Sequence, residues 1–510
     1  MSQKSIIPIL LIFVLAACKT ASKKETSLPE VHFSLTDMNL GAPTELFYFE
    51  DEYHLFYQCS PDSVNLNSIS WGHAKSTDLV HWQLLPLAIQ PENNEIPGSG
   101  SIVIDWNNSS GFGNETTPMV AIYATTNEQN INPEIQTLAI SFSTDKGTSW
   151  QKEATPITLE NCFIQPNDVR VFWHEETQRW MMGVLTGYEV RFYSSVDLKN
   201  WKFESVFGEK VYSKVGDWTH LSFSPLKIDG TQNTKWIMMI SGSTDSPNEG
   251  SGVQYFYGDF DGYVFKSERT KPKWLDNGSD NYAGVVLSNY IESGKPAYYI
   301  GLIDNYRYKH GQSESEVANV YSIPRALTLR DEYSDFYIVS EPVNAIETIA
   351  ENKQLLKETT FSGELKIKQQ LKIPLEINLK FDVNNRLYLN LAEVFGIRIS
   401  NGQGDELTIG YHSQRRYFFI SETKKGENRL DDWNGFQYAP YVIKEPTIDL
   451  KIIVDRTSAE LFAMDGMITL SRKYFISDSW NKIALISENG DITLQEGDIT
   501  ELKSIWTERR

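Results

Sequence analysis

A short pattern that recurs in the first two hundred or so residues restricts the fold more than any other feature. Ser76–Trp82 reads STDLVHW, Ser195–Trp201 reads SVDLKNW, and Ser143–Trp150 reads STDKGTSW with one extra residue. Each copy follows one predicted strand and precedes another, so we interpret the pattern as a hairpin turn. The aspartate can accept hydrogen bonds from nearby backbone N–H groups, and the tryptophan can pack back on the sheet.

The first part of the chain is predicted to have an all-β fold. No long stretch with a period of 3.6 residues occurs there, and strands punctuated by turns dominate. A spacing of roughly 50–70 residues suits one four-stranded propeller blade with long loops. Hairpin turns in a β-sandwich are the alternative, and three copies of the turn favour a β-propeller over residues 31–335.

The second part of the chain predicts a separate β-sandwich over residues 356–510. Short alternating runs such as Leu365–Lys368 and Leu387–Leu391 are typical of such a domain. Residues 336–355 between the two domains are predicted to form a linker, with a short helix in the range Val343–Leu355.

The N-terminus predicts export and lipidation. Residues 1–18 have a positively charged start, an apolar run over Ile6–Val14 and small residues before Cys18, which is typical of a secretory signal. The sequence Leu15–Cys18 resembles a bacterial lipobox, with Cys18 as the lipidated first residue. An ordinary signal peptide with a chance cysteine is the alternative. Residues 19–30 are polar and predict a tether. We therefore expect a lipoprotein of the outer membrane of a Gram-negative bacterium, on either face of that membrane.

The charge and the cysteines limit the classes of partner. A net charge of −20 argues against binding to nucleic acid or to an anionic membrane surface, and it is compatible with a neutral glycan. Cys59 and Cys162 remain after Cys18. An exported compartment permits a disulfide between them, and their distance in sequence leaves that pairing open. Since no spacing matches a Cys/His metal site, we predict no metal and no cofactor.

The segment His32–Pro61 carries a resemblance to a known family. It contains HFS at His32–Ser34 and a predicted hairpin that ends with YHLFYQ at Tyr53–Gln58. This arrangement resembles the opening of the invertase, levanase and inulinase glycosidases, family 32 of the glycoside hydrolases. Asp449–Arg456 followed by Glu460–Phe462 resembles the family's D-x-x-S-x-E-x-F signature. The resemblance covers nearly the whole mature chain, and it implies a five-bladed β-propeller followed by a β-sandwich.

The same resemblance implies that the catalytic chemistry is missing. A retaining glycosidase needs two carboxyl groups about 5–5.5 Å apart, one as nucleophile and one as acid/base. In the family's register the nucleophile falls on Ala42 and the acid/base on Thr219, while the aspartate that grips the sugar ring is retained as Asp168. A methyl group cannot attack an anomeric carbon. Loss of the general acid alone forfeits a factor of roughly 10²–10⁴.

Several pocket residues nevertheless remain as candidates for holding a sugar. They are polar or aromatic groups at or beside the family's motifs: Gln58, Trp71, Ser99, Asp168, Thr219 and His220. We interpret the lone histidines His73 and His220 as structural, because no serine and aspartate partners can be placed beside His220.

Three functions follow, and residue identity favours the first. The first is a catalytically inactive lipoprotein, related to fructan hydrolases, that binds a glycan such as levan or an inulin-type fructan. The second is an active β-fructofuranosidase with relocated carboxylates among Asp37, Glu45, Asp168 and Asp217. The third is a structural or assembly protein of a glycan-uptake system. The arrangement of acidic side chains in the propeller's axial pocket discriminates between the first two.

Overall fold

A computed structural model describes residues 28–61, 68–126, 136–208, 211, 216–306, 308, 319–367, 372–384, 391–423, 435–475 and 478–506. The predicted signal peptide, Cys18 and most of the predicted tether lie outside these residues. Over the part of the chain that is described, no helix has the length and apolar character needed to cross a membrane.

The first domain consists of five antiparallel sheets of four consecutive strands, with short additional strands in three of them. The first sheet is β1 (Asn39–Phe49), β2 (Glu52–Ser60), β3 (Ser70–Ser76) and β4 (Gln83–Ile89). The second is β5 (Ile96–Ile104), β6 (Met119–Thr126), β7 (Gln136–Ser143) and β8 (Gln151–Lys152), with β9 (Ile157–Leu159) paired to β7. The third is β10 (Asp168–His174), β11 (Arg179–Thr186), β12 (Glu189–Ser195) and β13 (Lys202–Phe207).

The remaining two sheets complete the propeller. The fourth is β14 (Trp218–Lys227), β15 (Thr234–Gly242), β16 (Gly252–Phe260) and β17 (Phe265–Ser267), with β18 (Lys273–Trp274) paired to β16. The fifth is β19 (Asn281–Val286), β20 (Ala297–Ile303), β22 (Arg325–Glu332) and β23 (Asp335–Pro342), with β21 (Val320–Tyr321) paired to β20. One short helix, α1 (Tyr290–Ser293), connects β19 and β20.

The recurring sequence pattern forms the turn between the third and fourth strands of the first three blades, as predicted. In the first blade Asp78 Oδ1 accepts hydrogen bonds from the backbone N–H groups of Val80 (2.9 Å) and His81 (2.8 Å). Trp82 Nε1 donates to the carbonyl of Leu79 at 2.9 Å. These contacts satisfy turn backbone groups that the sheet leaves unpaired, which explains why the same residue types recur once in each of these three blades.

The first strand of each blade lies at the propeller axis. β1, β5, β10, β14 and β19 contact one another in cyclic order, so the ring of blades is closed. All five run in the same direction along the axis, because every blade repeats the same order of strands. The beginnings of the five inner strands therefore meet at one end of the axis.

The second domain is one sheet folded over its own core. Its strands are β24 (Ala350–Leu356), β25 (Thr359–Lys366), β26 (Leu375–Asp382), β27 (Val394–Ser400), β28 (Glu406–His412), β29 (Tyr417–Thr423), β30 (Phe436–Pro440), β31 (Thr447–Val454), β32 (Ser458–Ala463), β33 (Ile468–Lys473) and β34 (Lys482–Leu502). The 21-residue β34 pairs with β27 through its first part and with β26 through its last part. It thus belongs to both layers of a sandwich-like arrangement around a continuous aliphatic and aromatic core.

The connection between the domains is shorter than the sequence suggested. The predicted linker, residues 336–355, begins within β23, because Asp335–Pro342 pairs with β22 and completes the fifth blade. A 3₁₀ helix at Asn344–Ile349 follows, and the sandwich begins directly at Ala350. Ile346 and Ile349 of this helix are buried, so the connection is itself part of the packed structure.

A buried group of charged side chains joins the two domains and the N-terminal segment. The Arg325 guanidinium pairs with Asp276 at 2.9 Å and with Glu460 at 2.5 Å. The ring of His32 contacts Asp455 at 2.8 Å through Nδ1 and Glu460 at 2.9 Å through Nε2. Burial by itself lowers the pKa of His32, but hydrogen bonds to the two carboxylates outweigh it and raise that pKa to about 9. His32 is therefore a second cation within this cluster.

Candidate functional site at the propeller axis

A cavity of about 650 Å³ opens where the inner strands begin. Its walls come from all five blades and from the loop that precedes β10, through neutral polar, small and aromatic side chains and one carboxylate. The lining residues are Gln58, Gly98, Ser99, Ala124, Thr125, Thr126, Gln165, Pro166, Asn167, Gly187, Tyr188, Asp217, Trp218, Thr219, His220 and Tyr282.

A chain of uncharged hydrogen-bonding groups crosses one wall of this cavity. The Thr219 hydroxyl lies 2.5 Å from the Tyr282 hydroxyl and 3.0 Å from His220 Nδ1. Burial, assisted by the nearby positive charge of Arg170, lowers the pKa of His220 to about 3. Burial also raises the pKa of Tyr282 to about 12. At neutral pH all three groups are uncharged, so this wall presents hydrogen-bond donors and acceptors without a formal charge.

Three charged side chains form an axial cluster, Glu45, Arg170 and Asp168, on the inner strands. The Arg170 guanidinium lies 3.5 Å from Glu45 Oε2 and 3.6 Å from Asp168 Oδ2. Asp168 is fully buried and also accepts a hydrogen bond from the backbone N–H of Leu221 at 2.8 Å. Glu45 accepts one from the Ser101 hydroxyl at 2.6 Å.

Burial raises the pKa of both carboxyl groups in the axial cluster. For Asp168 the value reaches about 6 although Arg170 and the backbone hydrogen bonds oppose the shift. The pKa of Glu45 is also raised by burial, with Arg170 again opposing. The positive charge of Arg170 therefore offsets the cost of keeping two carboxyl groups away from water.

Arg170 also joins the inner strands through their backbone. Its guanidinium donates hydrogen bonds to the carbonyl oxygens of Thr44 on β1, Gly100 on β5 and Leu221 on β14. Because Arg170 is itself on β10, one side chain connects four of the five inner strands. Its most direct role is to hold the blades together around the axis.

The structure brings together four of the residues that the sequence singled out. Gln58, Ser99, Thr219 and His220 line the cavity. Trp71 and Asp168 are fully buried and are not among the lining residues. Trp71 contributes indirectly, because its Nε1 donates a hydrogen bond to the carbonyl of Gly98 at 2.9 Å.

The two positions that the sequence register predicts to be catalytic in the family, and the acidic alternatives, lie in different surroundings. Ala42 is buried in β1 outside the lining, and Thr219 carries the hydroxyl described above. Asp37 is exposed and does not line the cavity, whereas Glu45 is buried in the axial cluster. Asp217 is exposed at the cavity, and among the described residues it is the only acidic side chain in the lining.

Two tyrosines in the lining and Arg170 were not singled out from the sequence as site residues. Tyr282 is the second residue of β19, the position that Thr219 occupies in β14, and this equivalence between blades could have identified it. Arg170 follows Asp168 by two residues, which places both side chains on the same face of β10. Tyr188 lies in the turn between β11 and β12, where the sequence carries no distinguishing pattern.

Among the described residues, the other histidines and cysteines are not part of the cavity lining. His73 Nε2 contacts His54 Nδ1 at 2.9 Å in a buried position, in agreement with a structural role. Cys59 and Cys162 are both buried free thiols. Within the described part of the chain, no group of three or more His, Cys, Asp or Glu side chains is arranged to hold a metal ion.

Comparison with known families agrees with this architecture. Residues 32–342 match the N-terminal domain of glycosyl hydrolases family 32, and residues 344–501 match the C-terminal domain of the same family. The chain therefore belongs to glycoside hydrolase family 32. The predicted family and the predicted five-bladed propeller with a C-terminal β-sandwich are confirmed.

The similar proteins include fructan-degrading enzymes. A levanase of Bacillus subtilis (strain 168) is 31% identical to this chain, over 99% of this chain and 76% of the levanase. An extracellular exo-inulinase of Aspergillus niger is 29% identical, over 94% of this chain and 95% of the inulinase.

Solved structures give the same result. The exo-inulinase of Aspergillus awamori has a TM-score of 0.81 and 27% identity, covering 94% of this chain and 98% of that one. The β-fructofuranosidase of Schwanniomyces occidentalis, solved with fructosyl-erythritol, has a TM-score of 0.82 at 27% identity, covering 94% of this chain and 99% of that one.

Proposed function

We propose that this protein binds a fructan-type glycan in the axial cavity without hydrolysing it, and that a lipid on Cys18 attaches it to the bacterial outer membrane. The observation that carries the first part is the cavity lining, in which Asp217 is the only carboxylate among the described residues. Retaining hydrolysis requires two carboxyl groups about 5–5.5 Å apart, and a single one cannot serve as both nucleophile and acid.

The acidic residues elsewhere at the axis do not supply the second carboxyl group that hydrolysis requires. Glu45 and Asp168 both pair with Arg170, whose guanidinium lies 3.5 Å from the first carboxylate and 3.6 Å from the second. Both carboxyl groups are buried and hydrogen-bonded outside the cavity lining. A nucleophile must reach to within about 3–3.5 Å of the anomeric carbon, so a carboxylate outside the cavity cannot act on a sugar inside it.

The same cavity is suited to holding a neutral sugar. Its volume of about 650 Å³ is in the range usual for small-molecule sites. Thr219, His220 and Tyr282 present uncharged donors and acceptors, and Gln58 and Ser99 add further ones. Sugar hydroxyls both donate and accept hydrogen bonds, so this set matches their chemistry. The relatives' names, levanase and exo-inulinase, make levan and inulin the first ligands to test.

Purified protein lacking the N-terminal 18 residues is expected to bind levan or inulin oligosaccharides and to release no reducing sugar from them. Thr219→Val keeps the shape of the side chain and removes the hydroxyl that contacts Tyr282 and His220. We expect the affinity to fall by about three- to tenfold, the effect of losing roughly one hydrogen bond. Isothermal titration calorimetry measures the binding, and a reducing-sugar assay measures hydrolysis.

Thr231→Val is the matched control, because Thr231 is an exposed threonine in the turn between β14 and β15 and does not line the cavity. Its affinity for the glycan should equal that of the unsubstituted protein. Release of reducing sugar that disappears in Asp217→Asn would instead establish the hydrolase alternative. Absence of binding to every glycan offered would support the structural or assembly role.

The lipid anchor has its own test in cells. Cys18→Ala is expected to abolish lipid modification and to shift the protein from the membrane fraction to the soluble exported fraction. Mass spectrometry of the N-terminal peptide of the wild-type protein should show a diacylglyceryl-modified Cys18. An unmodified N-terminus that begins elsewhere would indicate the ordinary signal peptide and contradict the lipoprotein assignment.

A further inference from the structure

Two large apolar side chains project from the loop that forms one edge of the cavity. Phe163 is 68% exposed and Ile164 is 54% exposed, directly before the lining residues Gln165 and Pro166. Ile164 lies beside the lining residue Gly187, since a Cβ atom on that glycine would come 3.7 Å from Ile164 Cδ1. The exposed pair is therefore continuous with the cavity.

The backbone of this loop is held in place on both sides of the pair. The Tyr193 hydroxyl donates to the carbonyl of Glu160 at 2.8 Å, and Arg191 donates to that of Asn161 at 2.6 Å. The Cys162 thiol donates to the carbonyl of Ile164 at 3.3 Å. On the far side, Asn167 Nδ2 donates to the carbonyl of Trp218 at 2.7 Å. The loop thus exposes two apolar side chains on a backbone that is fixed before any ligand arrives.

Because Phe163 and Ile164 are exposed, the folded chain forgoes the stabilisation that their burial would give. Burying a Phe or Ile side chain normally contributes to stability, and here the loop holds both of them in water. A fixed backbone lowers the entropic cost of binding a partner at that point. The combination is typical of a binding surface rather than of a loop that only connects two strands.

We propose that Phe163 and Ile164 form an external subsite, where a sugar unit outside the cavity packs its C–H face against them. This inference rests on the proposed glycan-binding function and extends it to ligand length. The cavity's polar groups would hold one end of the glycan, and the following unit would cover the apolar pair. Sugar rings present C–H groups on one face, and contact of that face with an aromatic or aliphatic side chain removes apolar surface from water.

The external subsite makes affinity depend on the length of the glycan. An oligosaccharide long enough to extend from the cavity should bind more tightly than a short one, because only the long one reaches the external subsite. A neutral ligand is also appropriate, since the described lining of the adjoining cavity contains one carboxylate and no lysine or arginine.

The test compares short and long inulin-type and levan-type oligosaccharides in calorimetric titrations of the mature chain. The double substitution Phe163→Ala with Ile164→Ser should weaken binding of the long oligosaccharides by about three- to tenfold and leave the short ones unchanged. Tyr333→Ala is the control, because Tyr333 is 98% exposed in the turn between β22 and β23 and is not a lining residue. This control should bind both lengths as the unsubstituted protein does.

The possible outcomes distinguish failure of the external subsite from failure of the glycan-binding function on which it rests. If the double variant binds long oligosaccharides normally while Thr219→Val weakens their binding, the cavity binds glycan and the proposal of an external subsite is wrong. Failure of the unsubstituted protein to bind any glycan would overturn both proposals. Co-sedimentation with phosphatidylcholine vesicles that is lost in the double variant, with unchanged glycan affinity, would assign the pair to membrane contact and also overturn the inference.

Discussion

Replacing Arg170 with methionine is expected to lower the free energy of unfolding by about 3–5 kcal/mol, the usual cost of removing one partner from a buried ion pair. Methionine fills much of the same volume but leaves Glu45 and Asp168 without their cation. It also removes the hydrogen bonds to the carbonyls of Thr44, Gly100 and Leu221. Equilibrium urea unfolding followed by tryptophan fluorescence measures the change.

A second substitution distinguishes loss of charge pairing from loss of packing. Adding Glu45→Gln to Arg170→Met removes one unpaired carboxyl group and retains an oxygen that can accept from Ser101. We expect it to recover about 1–2 kcal/mol, because a buried amide costs less than a buried charge. A double variant no more stable than Arg170→Met would show that packing and backbone hydrogen bonds account for the effect, and would contradict the electrostatic explanation.

The second large effect is expected at the boundary between the domains. Arg325→Met should destabilise the protein by about 3–5 kcal/mol, because Arg325 is fully buried between Asp276 and Glu460. Glu460 comes from β32 of the sandwich, whereas Arg325 begins β22 of the fifth blade. The substitution should therefore weaken the contact between the two domains as well as the overall stability. Limited proteolysis at increasing urea concentration would report whether the domains separate before each unfolds.

Arg398→Met provides the control for this experiment. Arg398 also contacts carboxylates, and its guanidinium lies 3.1 Å from the carboxylate of Glu488. These side chains are partly exposed to solvent on the sandwich. Pairs of that kind contribute about 0–1 kcal/mol. If Arg325→Met lowers the free energy of unfolding by no more than Arg398→Met, the buried ion pairs at the domain boundary do not stabilise the protein more than exposed ones.

The parts of the structure that sequence predicted correctly depend on local interactions. The turn around Asp78 forms because its own side chain accepts from Val80 and His81, within three residues. Such a pattern can be recognised wherever it recurs, and its recurrence gave the blade organisation. Thr219 and His220, which the family motifs singled out together, line one cavity because they stand at the beginning of an inner strand.

The parts that sequence did not predict depend on which strands meet in space. Nothing local distinguishes Arg170 from an exposed arginine until β1, β5 and β14 supply three carbonyl groups around it. The burial of Asp168 has the same origin, because the N–H of Leu221 reaches its carboxylate from another blade. The end of the propeller was placed too early because Asp335–Pro342 carries an alternating pattern that suits either domain until its partner, β22, is known.

The position of β34 determines the order in which the chain can complete its fold. This strand follows the other strands of the described residues in sequence, yet it lies between β26 and β27 and contributes to both layers. Ribosomal synthesis produces the five blades before the second domain, and each of their sheets is built from neighbouring segments of chain. The second domain, in contrast, lacks its central element until Lys482–Leu502 has been synthesised, after its ten other strands. A protein shortened at its C-terminus should therefore retain a folded propeller beside a second domain that is open to proteases.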